Sequence, residues 1–159
     1  MKKDWFSPAR LLMLSTAFAG TLLLASCDKD DDETPVNNMY TISGNGTGAQ
    51  VVPAFAGTGT GTITGTYDRS SNVLSYNVGW AGITDTATTV GFYKGASGSE
   101  GTSAQTLSVS TQGTTGNSTG TLNLTDEQET DLLAGNWYYN IGTLANPTGE
   151  VRGQITATQ

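Results

Sequence analysis

Histidine is absent from all 159 residues, and cysteine occurs once, at Cys27. Without imidazole there is no Ser–His or Cys–His nucleophile pair. Copper and zinc sites also lose their usual nitrogen and sulfur donors. A single cysteine allows no disulfide within a monomer, even in an oxidising compartment. Positive charge is scarce as well: seven Lys and Arg stand against fourteen Asp and Glu, for a net charge of −7. From Met39 onward the basic residues are Arg69, Lys94 and Arg152. Nucleic acid is bound by neutralising phosphates, so nucleic acid is excluded as a partner. Charged residues make up only 13%, and glycine is abundant at 21 residues. The apolar residues nevertheless alternate with period two, and this predicts a folded β domain.

The first 26 residues read as an export signal. Lys2, Lys3 and Arg10 give a positive start, an apolar run follows from Leu11 to Leu24, and small residues Ala25 and Ser26 precede the cysteine. The run is shorter than the ~20 residues a helix needs to cross a bilayer. Leu24-Ala25-Ser26-Cys27 resembles the bacterial lipobox. That resemblance implies that Cys27 becomes the first residue of the mature chain and carries acyl chains such as palmitate. Several chains together give a stable membrane anchor. Asp28, Lys29, Asp30, Asp31, Asp32 and Glu33 form a solvated, self-repelling spacer within a tether over 27–38. The same run resembles the acidic export signals of Bacteroidetes lipoproteins. The expected location is therefore the outer membrane, with the protein exposed at the cell surface.

Residues 39–159 form the expected domain, large enough for one core. Strands are predicted at Met39–Ser43, Thr58–Tyr67, Val73–Ala81, Ala87–Lys94, Ala104–Thr111, Thr119–Leu124, Trp137–Thr143 and Glu150–Thr156. Gly44–Gly48 reads as a turn, Gln50–Pro53 as a short extended piece in which Pro53 favours an edge or bend, and Gly95–Ser103 as a flexible loop. Thr125 and Gln128 have the capping-box form, and Gly135 is a natural stop, so a short helix is predicted between two strands. These elements point to an all-β fold: an antiparallel β-sandwich or Greek-key barrel with one short helix.

Several blocks together resemble the chordin-type (CHRD) domain. They are Gln50-Val51-Val52-Pro53, Gly59-Thr60-Gly61-Thr62, Leu74–Val78, Gly120–Gln128, Leu132–Gly135 and the closing Asn146–Gln154, which contains Gly149-Glu150-Val151-Arg152-Gly153-Gln154. The resemblance implies an immunoglobulin-like β-sandwich and no established general activity. Many bacterial members carry a His-x-His pair and a third His. The matching positions here are Gly91, Tyr93 and Gly142.

The candidate chemistry is correspondingly thin. Glu127 and Asp131 fall four apart on the helix and read as a solvated face. Asp68, Asp85 and Glu100 fall in turns without an aromatic platform nearby in sequence, whereas a glycosidase needs two carboxylates across a sugar cleft. Glu150 and Arg152 are expected to face one way and to close the barrel edge as an ion pair. Trp80, Trp137 and Tyr139 read as core, and Tyr138, facing the other way, is the candidate ligand-binding aromatic. Asp85-Thr86-Ala87 resembles a short O-glycosylation motif, with Thr86 as acceptor. No catalytic residue, metal site or cofactor is expected. The expected function is a non-catalytic binding or structural module with a protein or glycan ligand. A hydrolase or calcium-dependent enzyme using loop carboxylates is the alternative.

Overall fold

The structure, a computed structural model, describes residues 37–159. The signal segment 1–26, Cys27 and the acidic run Asp28–Glu33 lie outside the described residues, as does most of the tether. Among the described residues no helix is long and apolar enough to cross a membrane.

The chain forms one curled antiparallel sheet. In chain order the strands are β1 (Met39–Thr47), β2 (Thr60–Asp68), β3 (Val73–Ala81), β4 (Ala87–Lys94), β5 (Thr102–Thr106), β6 (Gly116–Asn123), β7 (Trp137–Thr143), β8 (Val151–Gln154) and β9 (Thr156–Thr158), with helix α1 (Asp126–Leu133) before β7. The spatial order is β5-β4-β7-β8-β1-β2-β3-β6, with β9 beside β1. The half β6-β3-β2-β1 packs across the core on the half β5-β4-β7-β8. Ile63, Leu74 and Val78 from the first join Phe92, Tyr139 and Ile141 from the second in one buried cluster. Tyr76 meets Phe92 edge-on across that core at 5.2 Å. The sandwich-like fold expected from the alternation is therefore present. The buried core runs from Ile42 to Ile155, and Pro35–Gln159 is a compact unit on its own.

Strong alternation fixes β3, where Leu74, Tyr76, Val78 and Trp80 are buried and Asn77 and Ala81 are exposed. In β2 the threonines 60, 62, 64 and 66 face outward and Ile63 and Tyr67 inward, as their spacing predicts. The helix has both capping-box hydrogen bonds: the Gln128 backbone N–H donates to Thr125 Oγ1 and the Thr125 N–H to Gln128 Oε1 at 3.0 Å. Gly135 takes φ +72°, the left-handed conformation that stops the helix. Glu127 is solvated as expected, with its side chain 81% exposed, whereas Asp131 is largely covered at 14%. Both reach Lys94 of β4, at 3.1 and 2.7 Å, so the helix is tied to the sheet.

Three expectations are corrected. Gly44 and Gly46 lie inside β1, not in a turn, because β8 passes so close that a Cβ at Gly46 would stand 2.8 Å from the Arg152 carbonyl oxygen. Gln50–Pro53 is not one extended piece: Gln50 ends a 3-10 turn over Gly48–Gln50, Val51 is extended, and the chain bends over 51–53, as Pro53 favours. The predicted strand Ala104–Thr111 is split. Pairing with β4 starts earlier, at Thr102, and after Leu107 the chain crosses to the other edge. There Ser110 and Thr111 donate to the Asn117 carbonyl at 2.9 and 3.0 Å. One segment thus serves both edges of the curl and covers what would be exposed pairing groups.

Two buried tyrosines contrast. Tyr67 donates its hydroxyl to Glu129 at 2.7 Å, and Glu129 in turn holds Arg69 at 2.7 Å. Tyr139 is fully buried, and its hydroxyl has no hydrogen-bond partner among the described residues. Burial pushes both phenols up, with Glu129 adding to the effect at Tyr67. An unpaired buried hydroxyl costs about 1–3 kcal/mol. Tyr139→Phe is therefore expected to leave stability unchanged or raise it by about 1 kcal/mol, whereas Tyr67→Phe lowers it. Urea unfolding of both variants checks this; a Tyr139→Phe loss as large as that of Tyr67→Phe would contradict it.

Candidate functional site

The site lies on the outward face of β4, β7 and β8. Val90, Phe92, Tyr139 and Ile141 point into the core, so their neighbours Gly91, Tyr93, Tyr138, Asn140 and Gly142 point out. The register sets Tyr93 beside Tyr138, Gly91 beside Asn140, Thr89 beside Gly142 and Asn140 beside Arg152. Gly91, Tyr93 and Gly142, where the family resemblance implies histidines, therefore share this face. Tyr93 lines the cleft that forms on it.

Three chain segments wall the cleft: Glu100 with Gly101, Val51 and Val52, and Pro147 with Thr148. It encloses about 200 Å³ and is lined by Tyr93, Glu100, Gly101, Tyr138, Asn140 and Arg152. The expected flexible loop Gly95–Ser103 is pinned. Arg152 donates to the carbonyls of Ser99 and Ala96 at 2.7 and 2.8 Å, and Gln154 donates to Gly95 at 2.9 Å. The Gly101 N–H donates to the Tyr138 hydroxyl at 3.1 Å. Glycine at 101 lets the loop pass the Lys94 carbonyl and lie on the Tyr138 ring, since a Cβ there would come within 2.1 Å of the carbonyl oxygen and 2.9 Å of the ring edge.

Tyr138 points outward, as its alternation with Trp137 and Tyr139 predicts, but it is only 6% exposed. The Arg152 guanidinium lies 3.6 Å from its ring centroid, and Tyr93 stacks on it at 5.3 Å and 13°. Both faces are thus covered, and the half-buried Tyr93 is the ring open to a ligand. Tyr138 acts through Tyr93 and Arg152. Burial raises the Tyr93 phenol, with the neighbouring Tyr138 adding to it.

Glu150 and Arg152 do not pair. Glu150 precedes β8, so the strand alternation does not reach it. Its carboxylate turns the other way, toward Thr84, Thr143 and Asn146. Arg152 is 3% exposed and forms no ion pair among the described residues. Loss of water lowers its pKa, although the guanidinium stays charged. Carbonyl oxygens and a ring face hold the cation in place of a carboxylate. Beside it, Asn140 donates to the Thr148 carbonyl at 2.9 Å, while its own Oδ1 is buried without a partner among the described residues.

The loop carboxylates do not converge. Asp68 accepts from Ser70 and Ser71 in its own turn, and those hydrogen bonds lower its pKa. Asp85 accepts from the Thr86 N–H at 2.6 Å in the exposed β3–β4 loop, which also leaves Thr86 exposed. Glu100 alone of the three lines the cleft. Among the described residues no three of His, Cys, Asp and Glu come together as metal ligands. The cleft holds one carboxylate, one cation, an amide and phenols, a set suited to orienting a polar ligand. Glu100, Asn140 and Arg152 as cleft residues were not read from the sequence. Only the resemblance of the closing block hinted at Arg152.

A family model described as CHRD domain matches residues 42–155. No curated protein and no solved structure matches the chain.

Proposed function

Because the chain belongs to the CHRD domain family, we propose that it is a non-catalytic binding module, held on the outer membrane by an acylated Cys27 and offering its cleft to a glycan or protein ligand. The CHRD domain is a small β-domain without a known enzymatic activity. The observation that carries the reading is Arg152: among the described residues a buried cation without a carboxylate, lying on the Tyr138 ring that Tyr93 stacks against, and set opposite Asn140, whose amide oxygen has no partner, in a pre-formed cleft. Burying a charge is costly unless it is compensated, and such sites favour a complementary group on a ligand. An acidic glycan supplies it, with a carboxylate for Arg152, hydroxyls for Asn140 and Glu100, and a pyranose face for Tyr93.

The test is an array of neutral and acidic glycans probed with Pro35–Gln159. Binding to acidic glycans is expected, reduced about tenfold by Tyr93→Ala and by Arg152→Lys, or roughly 1.4 kcal/mol each. No acidic-glycan binding, or binding indifferent to both changes, would contradict the reading. Anchoring rests on the lipobox resemblance and on Asp28, Lys29, Asp30, Asp31, Asp32 and Glu33. Mass spectrometry of the wild-type protein is expected to show acyl mass on Cys27, absent in Cys27→Ser. Alanine at Asp30, Asp31, Asp32 and Glu33 is expected to protect the protein from protease added to intact cells. An unmodified Cys27, or equal digestion, would contradict the respective step.

A further inference from the structure

We propose that the outward face of β9, β1, β2, β3 and β6 binds the ordered water of an ice surface. The pairing register lays its side chains out as a grid. One row reads Thr158, Thr41, Thr66, Ser75, Thr121. The next reads Thr156, Ser43, Thr64, Asn77, Thr119, and a third reads Asn45, Thr62, Gly79, Asn117. No charged side chain stands in these rows, in a protein of net charge −7. Nearly all of these residues are exposed. Among the described residues, only Asn77, Asn117 and Thr119 of this grid use their side chains in hydrogen bonds to protein. The remaining hydroxyls are left to solvent.

The chemistry of the grid narrows its partner. A protein partner needs a buried apolar or aromatic centre, and the rows contain none. A nucleic acid or acidic polymer needs cations, and none is present. A small ligand needs an enclosing pocket, whereas the depressions on this face, around Gly65 and Gly120 and beside Gly79, are shallow and open to solvent. A lattice of water molecules needs regularly spaced hydroxyls with little charge to disrupt it, held still before contact. Threonine meets that need because its β-branched side chain is stiff at χ1 and presents a methyl beside the hydroxyl. Rows repeat about every 6.8 Å along a strand and columns about every 4.8 Å between strands. Sheet twist of roughly 20–25° per strand limits the match to adjacent strands. The patch around Thr158, Thr41, Thr66, Thr156, Ser43 and Thr64 is the part that fits. A small patch of this kind slows the growth of ice grains and does not depress freezing strongly.

The face belongs to the opposite half of the sandwich from the cleft, so this inference stands or falls separately from the proposed function. The experiment is an ice-recrystallisation assay on Pro35–Gln159, with an unrelated acidic protein at equal concentration as reference. Slower grain growth than the reference is expected, with potency reduced about tenfold in Thr64→Lys/Thr66→Lys and unchanged in Tyr93→Ala. Thermal melts establish that the variants are folded. Thr64→Ala/Thr66→Ala, which introduces no charge, carries the same test if the lysine variant does not fold. Wild-type protein no different from the reference would overturn the proposal, and so would a folded double variant of full potency.

Discussion

Glu150→Ala is expected to cost about 3 kcal/mol, because it strands the buried Thr143 hydroxyl together with the part-buried donors of Thr84 and Asn146. Glu150 is 1% exposed, and among the described residues it forms no ion pair. Its carboxylate accepts from the Thr84 N–H and hydroxyl at 2.7 and 2.5 Å, from Thr143 Oγ1 at 2.7 Å and from Asn146 Nδ2 at 2.9 Å. These bonds clamp the β3–β4 loop to the β7–β8 loop. Burial alone would push the carboxyl up, but the donors outweigh it and hold it below the usual range. Glu150 thus binds its proton more weakly folded than unfolded. Its contribution is complete above the unfolded carboxylate pKa of about 4.3 and is lost as pH falls through the lower folded value. Urea titrations at neutral and acid pH are expected to show wild-type stability falling below about pH 4, with a shallower fall in Glu150→Gln. Glu150→Gln is itself expected to lose about 2 kcal/mol at neutral pH, since its amide N–H groups face donors. Wild-type stability in Glu150→Ala at neutral pH would contradict the clamp.

Gly153→Ala is expected to cost about 3 kcal/mol through overpacking. Gly153 stands opposite Tyr139 in the β7–β8 register, and a Cβ there would lie 2.5 Å from the ring's Cε1, Cζ and hydroxyl oxygen. The ring has nowhere to retreat. Cβ atoms at Gly46 and Gly61 would also fall within 2.6 and 3.0 Å of it, so three glycines form the slot it fills. Shrinking the ring should recover part of the loss: Gly153→Ala with Tyr139→Leu is expected to be less unstable than the sum of the two changes. Gly79→Ala, whose Cβ would meet nothing closer than 3.6 Å, serves as the neutral control. Equal losses for Gly153→Ala and Gly79→Ala in urea unfolding would refute the slot.

These two residues mark where the sequence is hard to read. Strands β3, β4 and β7 keep their predicted bounds, but only β3 alternates without interruption; β4 breaks the alternation at an irregularity between Ala87 and Thr89, and β7 is buried on both faces. The helix is legible because its cap is a local hydrogen-bond pattern. Gly44 and Gly46 mislead because glycine signals both a turn and a close approach of strands, and only the neighbour decides between them. Glu150 and Arg152 mislead because alternation holds only inside a strand, and Glu150 falls one residue before it. The outward direction of Tyr138 was readable. Its burial was not, since the cover comes from residues 95–101 and from Arg152, distant in sequence. The cleft itself was invisible for the same reason: Val51, Glu100, Asn140 and Pro147 meet only when the sheet curls.

The central claim is that this cleft binds a ligand and carries out no chemistry on it. Its most direct test is a titration of isotope-labelled Pro35–Gln159 with an acidic glycan, followed by amide and side-chain NMR shifts. The account predicts saturable shifts concentrated at Tyr93, Gly101, Asn140 and the Arg152 guanidinium, with the glycan recovered intact. Shifts scattered away from the cleft, or cleavage of the glycan during the titration, would contradict it.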